Sequence, residues 1–359
     1  MNYQSWQGVD DPKYGYGSML AGFVSGLPKT VSLSDNASVS VFMNIPNVKR
    51  GWLQDQFRVS FTMWETDVLP DYFVRWLPKY DQVLVPCDHN VELFSQHHQN
   101  VKKVPLGADT KFWTGYKVPD GVFRFNAGGS LWFRKGLDIT VEAFKKLNLP
   151  DAELHIKAAP HARDTPQINH PQIVLHRAWM DSVQQRDWYS QGHVFISASR
   201  GEGFGLMPLQ AIAMGIPTII SDTTGHREFS YLATGVVPTK PEPAPTGGQW
   251  DTTDLDALCE TMLDHYRNWQ THRDEAVVNA RACTAFTWRK ATKTLLDTLP
   301  VGDLLDNPTW VNETVEVDIQ VNRNLRCDIH NKHYEFVKGK TYTVPEGAVQ
   351  VLKDAGYLV

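Results

Sequence analysis

The chain has few cysteines and none in a close pair. Its four, Cys87, Cys259, Cys283 and Cys327, stand far apart without Cys-x-x-Cys spacing. That excludes a disulfide framework and a thiolate zinc site, and predicts free thiols in a reducing compartment. No run of 18 apolar residues occurs, and the start MNYQSWQGVDDPKYGYG lacks the charged and apolar regions of a secretion signal. Neither a membrane span nor a leader is therefore expected. Positive charge is not in excess: the formal net charge is −5, which leaves no global footprint for a nucleic acid.

What is present is ordinary in bulk. A chain of 359 residues, 42% apolar and 21% charged, has the balance of a soluble globular protein, with room for two domains and a small third. Twelve tryptophans are expected chiefly in packing, some at surfaces where they could stack on sugars or bases. Residues 1–118 alternate β-rich runs, SVSVFMNIP (38–46), FRVSFTMWE (57–65) and DQVLVPC (81–87), with segments at helical spacing, and only about 30 residues precede the first clear strand. The pattern restarts at 119. GVFRFNAGG (121–129), AELHIKAA (152–159), PQIVLHRAW (171–179), HVFISAS (193–199) and IPTIISD (216–222) read as strands between helical segments. Strands apolar throughout suit a parallel sheet covered on both faces, and the alternation predicts doubly wound α/β units. Residues 255–269 and 274–299 read as helices closing the second unit, and 235–250, rich in Pro and Gly, as an exposed loop. From about 305 the chain changes to alternating strands and then a helix over EGAVQVLK, which predicts a small β-plus-α module.

The stretch RGEGFGLMPLQAIAMGIPTI (200–219) carries the clearest chemistry. A strand ends before it and a helix begins within it, so its glycines form the turn between them. A helix N-terminus leaves backbone N–H groups unpaired and carries partial positive charge, and glycine lets a ligand approach that backbone closely. At the carboxyl end of a parallel strand, such a turn faces the crevice where α/β folds bind ligands. Glu202 would accept hydrogen bonds from hydroxyls there, and Gln210, about two helical turns on, would reach a second set. Glycines beside an acid are weak evidence alone, since a plain tight turn with a solvated Glu202 explains them too.

The context is more specific. SRGEGFGLMPLQAIAMGIPTIISDTTGHREF (199–229) resembles the signature of the retaining glycosyltransferases of the GT-B fold, the large family that includes sucrose synthase and mannosyltransferases. GGSLWFRKGLDITVEAF (128–144) is similar to that family's phosphate-binding stretch, and FTMWETDVLP, YDQVLVPC and VPLGADTKFW to its amino-terminal half. The resemblance runs over about residues 12–300. It implies two facing Rossmann-like domains, 1–118 on the acceptor side and 119–304 for the nucleotide sugar, with 305–359 as an accessory module. It implies that Lys135, with Arg134, neutralises the donor diphosphate. The backbone amides of Gly203, Phe204, Gly205 and Leu206 would hold sugar hydroxyls or phosphate, Glu202 would orient the sugar, and Gln210 would bind the ribose. Gly17, in YGYGSML, would meet the diphosphate from across the cleft. The donor substrate expected is a nucleoside-diphosphate-sugar, with no cofactor, no metal ion and no protein nucleophile, because the leaving phosphate takes the acceptor's proton. Two positions depart from the pattern: Gln210 stands where the family has Glu, and Gly129 where it commonly has a second Arg, a place Arg134 would fill.

Glu65, at a strand end in TMWETD, and His89, in CDHN, are the candidates for acceptor contact. Residues 1–118 hold 11 Lys/Arg and 11 Asp/Glu, a balance that does not favour an anionic membrane. Residues 321–340 hold five Lys/Arg against two Asp/Glu, with His330, His333, Tyr334 and Phe336 interleaved; a solvated hairpin and a nucleic-acid contact both fit. The ending YTVPEGAVQVLKDAGYLV is similar to accessory modules of phage-encoded proteins. On that ground the expected acceptor is a hydroxymethylated base in phage DNA, in the host cytoplasm. A saccharide, lipid or protein acceptor stays open. So do a nucleotide-sugar 2-epimerase and a non-catalytic subunit that binds sugar or nucleic acid. The oligomeric state is not legible.

Overall fold

Two parallel sheets of six strands each organise the protein. The computed structural model describes residues 2–8, 15–29, 31–33, 39–46, 57–130, 132–160, 166–299, 316–320, 325–329 and 332–345. The first sheet contains β1 (Asn2–Gly8), β2 (Val31–Leu33), β3 (Val39–Met43), β4 (Phe57–Phe61), β5 (Gln82–Val85) and β6 (Val101–Lys103), in the order β2-β1-β3-β4-β5-β6. Every neighbouring pair is parallel. All five residues of β3 are buried, as a strand covered on both faces requires. Helices α1 (Gly15–Ser25), α2 (Asp71–Trp76) and α3 (Asp88–Ser95) belong to this half. The sequence placed no strand before residue 38, yet β1 lies inside the sheet, paired to both β2 and β3. Its polar run NYQSWQG hides the strand, because pairing on both sides, with Trp6 buried, replaces an apolar pattern.

The second sheet contains β7 (Phe123–Gly129), β8 (Ala152–Ala158), β9 (Ile173–Arg177), β10 (Val194–Ser197), β11 (Thr218–Ser221) and β12 (Gly235–Val237), in the order β12-β11-β10-β7-β8-β9. It is parallel throughout. The strand order reverses between β7 and β10, and the crevice at such a switch point is where open α/β sheets bind ligands. Helices α4 (Leu137–Leu147), α5 (Ser182–Ser190), α6 (Leu206–Ala213), α7 (Leu255–Arg267) and α8 (Trp269–Ala282) cover it. The start of α5 is fixed by a capping box in which Asp181 accepts from the Gln184 N–H at 2.8 Å and Gln184 accepts from the Asp181 N–H at 3.0 Å.

The last helix, α9 (Trp288–Thr298), returns to the first half. Trp288 packs on Phe23 of α1 with ring centroids 5.5 Å apart, and the Thr292 hydroxyl donates to the Phe23 carbonyl at 2.9 Å. The segment 235–250 is not simply a loop. β13 (Thr239–Pro243) and β14 (Gln249–Thr253) form an antiparallel hairpin there. Its strands are polar and carry no apolar alternation; Gly247 and Gly248, at φ 93° and 70°, supply the turn, and Lys240–Asp254 pairs at 2.6 Å across it.

Beyond α9, β15 (Glu316–Gln320) pairs with β18 (Thr341–Pro345), and β16 (Leu325–Ile329) with β17 (Lys332–Phe336), both antiparallel. The helix expected over EGAVQVLK lies outside the described residues. Among the described residues no helix is long and apolar enough to cross a membrane.

Candidate active site

Four charged side chains from the two halves meet where β7 and β10 end. The turn after β7 carries Arg134 and Lys135; the turn after β10 carries Glu202; the segment after β4 brings Glu65 from the opposite half. Lys135 Nζ lies 2.6 Å from Glu202 Oε1. Arg134 lies 3.1 Å from Glu65, 3.7 Å from Glu202 Oε2, and donates to the Gly201 carbonyl at 2.9 Å. The Ser199 hydroxyl completes the Glu202 shell, donating to Oε1 at 2.6 Å.

Glu202 stays ionised in spite of burial. Burial alone would raise the Glu202 pKa, but Lys135 and then Arg134 outweigh it and hold the carboxyl at about 2. For Lys135, burial pushes the ammonium below its usual value against the pull of Glu202. For Arg134, burial opposes the charge, yet Glu65 and Glu202 raise the pKa overall. An ionised Glu202 accepts hydrogen bonds and cannot act as a general acid at neutral pH. Two buried cations beside it match a ligand with more than one negative charge.

Gly129 explains how the site dispenses with an arginine at that position. A Cβ there would lie 2.3 Å from Lys135 Cγ, so the lysine stem occupies the space a side chain would need. Arg134 brings the second cation into the cleft from the adjacent position. Gly205, at φ 105°, caps α6 in a conformation that favours glycine. No side chain caps α6, which leaves first-turn N–H groups open to a ligand. The Phe204 side chain is core, tilted against Phe229 with ring centroids 5.5 Å apart, so only its backbone is available, while Leu206 is part-buried.

The other sequence candidates stand apart from this cluster. Gln210 Oε1 accepts from Gln185 at 2.8 Å and from Tyr189 at 3.4 Å; Gln185 in turn accepts from Lys157 Nζ at 2.5 Å. Gly17 is buried in the first turn of α1, and residues 9–14 before that helix lie outside the described residues. Its neighbour Tyr16 ties α1 to the Glu65 segment through Thr62, at 3.1 Å, and the Met63 N–H, at 3.3 Å. His89, on α3, faces the Thr66 carbonyl at 3.2 Å, and burial lowers its pKa.

The sequence reading missed His226, Thr224 and Ser199. His226 is fully buried beneath the glycine turn, its Nδ1 3.1 Å from the Ser221 carbonyl; burial lowers its pKa to about 4, so it is neutral at pH 7. Thr224 fixes the Glu202 backbone by accepting from its N–H at 2.8 Å and donating to its carbonyl at 2.9 Å. The TGHREF run that follows β11 carried the only signal for two of them. One three-residue group, Asp264, His265 and His272, has metal-ligand proximity among the described residues, but it sits on α7 and α8. Both His265 nitrogens are engaged there, by Thr261 at 2.8 Å and Thr234 at 2.9 Å. Asp254 and Asp256 stand at Asp-x-Asp spacing; Asp254 caps α7 and Asp256 pairs with Lys146 at 2.5 Å.

Residues 125–243 match the family described as Glycosyl transferases group 1, a span that contains Arg134, Lys135, Glu202 and Gln210. The chain is similar to glycosyltransferase 41 named in Sulfolobus islandicus filamentous virus (isolate Iceland/Hveragerdi), at 23% identity over 158 residues, 44% of each chain. In structure it is similar to HepE of Anabaena, solved with UDP and glucose, with TM-score 0.61 at 10% identity over 83% of this chain and 99% of that one. The sucrose-phosphate synthase of Thermosynechococcus elongatus gives TM-score 0.55 at 15% identity over 68% and 67%. The chain spans less than half the length of the curated relatives it matches. The fold is GT-B, two Rossmann-like halves, and the charged cluster lies in the cleft between them.

Proposed function

We propose that the protein moves a sugar from a nucleoside-diphosphate-sugar to a hydroxyl acceptor with retained anomeric configuration. One observation carries this reading: Lys135 and Arg134 converge on Glu202 at 2.6 and 3.7 Å, at the carboxyl ends of β7 and β10. The two cations would receive the diphosphate, and Glu202, ionised, would then accept hydrogen bonds from the sugar. The UDP and glucose present in the HepE structure support a donor of this chemistry.

In the proposed step the bond between sugar C1 and the β-phosphate oxygen breaks, and its electron pair stays on the diphosphate. The acceptor oxygen forms the new bond to C1, and its proton passes to the departing phosphate. Lys135 and Arg134 stabilise the charge that builds there, the role a metal ion fills in other enzymes, so the transfer is proposed to be metal-independent. Gln210 would bind the ribose. Cys87, Cys259 and Cys283 are free and buried, which supports the proposed cytoplasmic location.

The acceptor is proposed here only as a hydroxyl. The hydroxymethylated DNA base rests on the ending YTVPEGAVQVLKDAGYLV and the basic run 321–340, and the side chains of β16 and β17 lie outside those described. Incubation with UDP-, GDP- and ADP-sugars, with NMR of the product, tests the reading. Transfer or slow donor hydrolysis with the donor's anomeric configuration kept, and reduced about 100- to 1,000-fold in Lys135→Ala, is the expected result. Inversion at C1 would overturn the retaining mechanism, and acceptor binding without any turnover would make the protein a binding subunit.

A further inference from the structure

We propose that a second pocket between the two halves, beside the donor loop, is the acceptor subsite and takes a single neutral sugar ring. The inference rests on the transferase reading and names its acceptor class. The cavity measures about 190 Å³ and is lined by Asp67 and His89 of the first half and by Thr224, Arg227, Trp250 and Asp251 of the second. At the liquid volume of water it holds about six molecules, the space of one small ring.

Its position ties it to the reaction. Thr224, in the pocket wall, is the residue whose hydroxyl holds the Glu202 N–H and carbonyl at 2.8 and 2.9 Å. Trp250 and Asp251 come from β14, and the hairpin reaches the first half through the Gln249 N–H, which donates to Asp67 at 2.6 Å. The pocket thus has a floor from the donor domain and a wall from the acceptor side.

Its chemistry selects the ligand. The Trp250 indole N–H is buried and has no hydrogen-bond partner, which is costly unless a ligand supplies an acceptor. The Arg200 guanidinium lies over one face of the Trp250 ring, 5.8 Å from the centroid, which leaves the other for C–H groups. Asp67 is engaged through Oδ1 by Gln249, and Asp251 through Oδ2 by Thr223 at 3.0 Å and by Arg227 at 3.7 Å. A carboxylate has two oxygens and about four acceptor sites, so each keeps capacity for a hydroxyl. Because the Thr66 carbonyl can only accept, the His89 Nε2 at 3.2 Å carries the proton, which leaves Nδ1 as a further acceptor. An unpaired donor, several acceptors and one aromatic face suit a polyhydroxylated ring.

Charge argues against a polyanion. Two carboxylates stand against one guanidinium, and Arg227 is already bound to Asp222 at 2.8 Å. A phosphodiester flanking a target base would meet net negative charge.

The test uses the full chain and two readouts. Saturation-transfer NMR with methyl glycosides of glucose, galactose, mannose and N-acetylglucosamine is recorded on the wild type, Trp250→Leu and Asp251→Asn. Nucleotide binding is followed separately by thermal shift. At least one glycoside is expected to bind, and both variants to weaken it about tenfold or more, with the nucleotide-induced shift unchanged. Unaltered glycoside binding in both variants, or binding to none, would overturn the pocket assignment. So would transfer to hydroxymethylated duplex DNA with no transfer to any glycoside. Glycoside binding that depends on Trp250, with no nucleotide shift, would instead remove the transferase reading and leave the pocket standing.

Discussion

The Arg134 guanidinium lies 3.1 Å from the carboxylate of Glu65, which comes from the opposite half of the molecule. A diphosphate entering beside Arg134 and Lys135 would meet that carboxylate as a like charge. Glu65→Gln is therefore expected to tighten UDP binding by about three- to tenfold at low salt, with the gain shrinking as salt screens it. Titration calorimetry at two salt concentrations measures this. Weaker binding in the variant would mean that Glu65 assists the donor.

Glu202 holds two buried cations together. Glu202→Ala is expected to destabilise the fold by about 3–5 kcal/mol in urea unfolding, because Lys135 and Arg134 lose their shared counter-charge. Its pH signature has a definite sign. The folded pKa is about 2 against a usual 4.5, so the carboxylate stabilises fully above about 4.5 and loses that effect as pH falls through about 2. Relative to the wild type, Glu202→Gln should show a flatter loss of stability on the acid side. Parallel acid limbs would contradict the ion pair.

Lys157 is the opposite case. It bonds the Gln185 amide, and among the described residues it forms no ion pair. Burial lowers its pKa from 10.5 to about 8. The folded protein thus releases this proton first, and stability rises with pH between about 8 and 10.5. Lys157→Met should stabilise the protein by about 1–3 kcal/mol at neutral pH, and the gain should vanish above about 10.5. Thermal unfolding across that range checks it.

Gln210 offers a neutral amide where the glycosyltransferase signature that this stretch resembles has a carboxylate. Since a hydrogen bond to a charged group is worth about 1 kcal/mol more than a neutral one, Gln210→Glu should tighten UDP binding by about fivefold. A nucleotide lacking both ribose hydroxyls should show no gain. Equal tightening of both nucleotides would place residue 210 away from the ribose.

How much of this the sequence disclosed depended on whether a feature was local. Glu202, Arg134 and Lys135 were legible because each sits in a short glycine-bearing turn between a buried strand and a helix, where a spacing pattern survives. The apolar strands β3, β4, β5, β7, β8, β9, β10 and β11 were readable for the same reason. β1 and the β13–β14 hairpin were not, since their polar runs are strands only through their pairing partners. His226 and Thr224 act on the Glu202 turn from another strand's end, 22 residues or more along the chain, a relation that only the sheet order creates. Gly129 looked like a loss until its missing Cβ proved to be the space filled by Lys135.

The central claim is that the cleft binds a nucleoside diphosphate through Lys135. The most direct measurement is thermal stability of the wild type and Lys135→Ala against UDP, GDP, ADP and their sugars. At 100 times its dissociation constant, a ligand of the native state adds about 2.7 kcal/mol. A clear shift with one base, absent in Lys135→Ala, is the predicted result. A wild type that no nucleotide stabilises, or a shift that survives in Lys135→Ala, would contradict it.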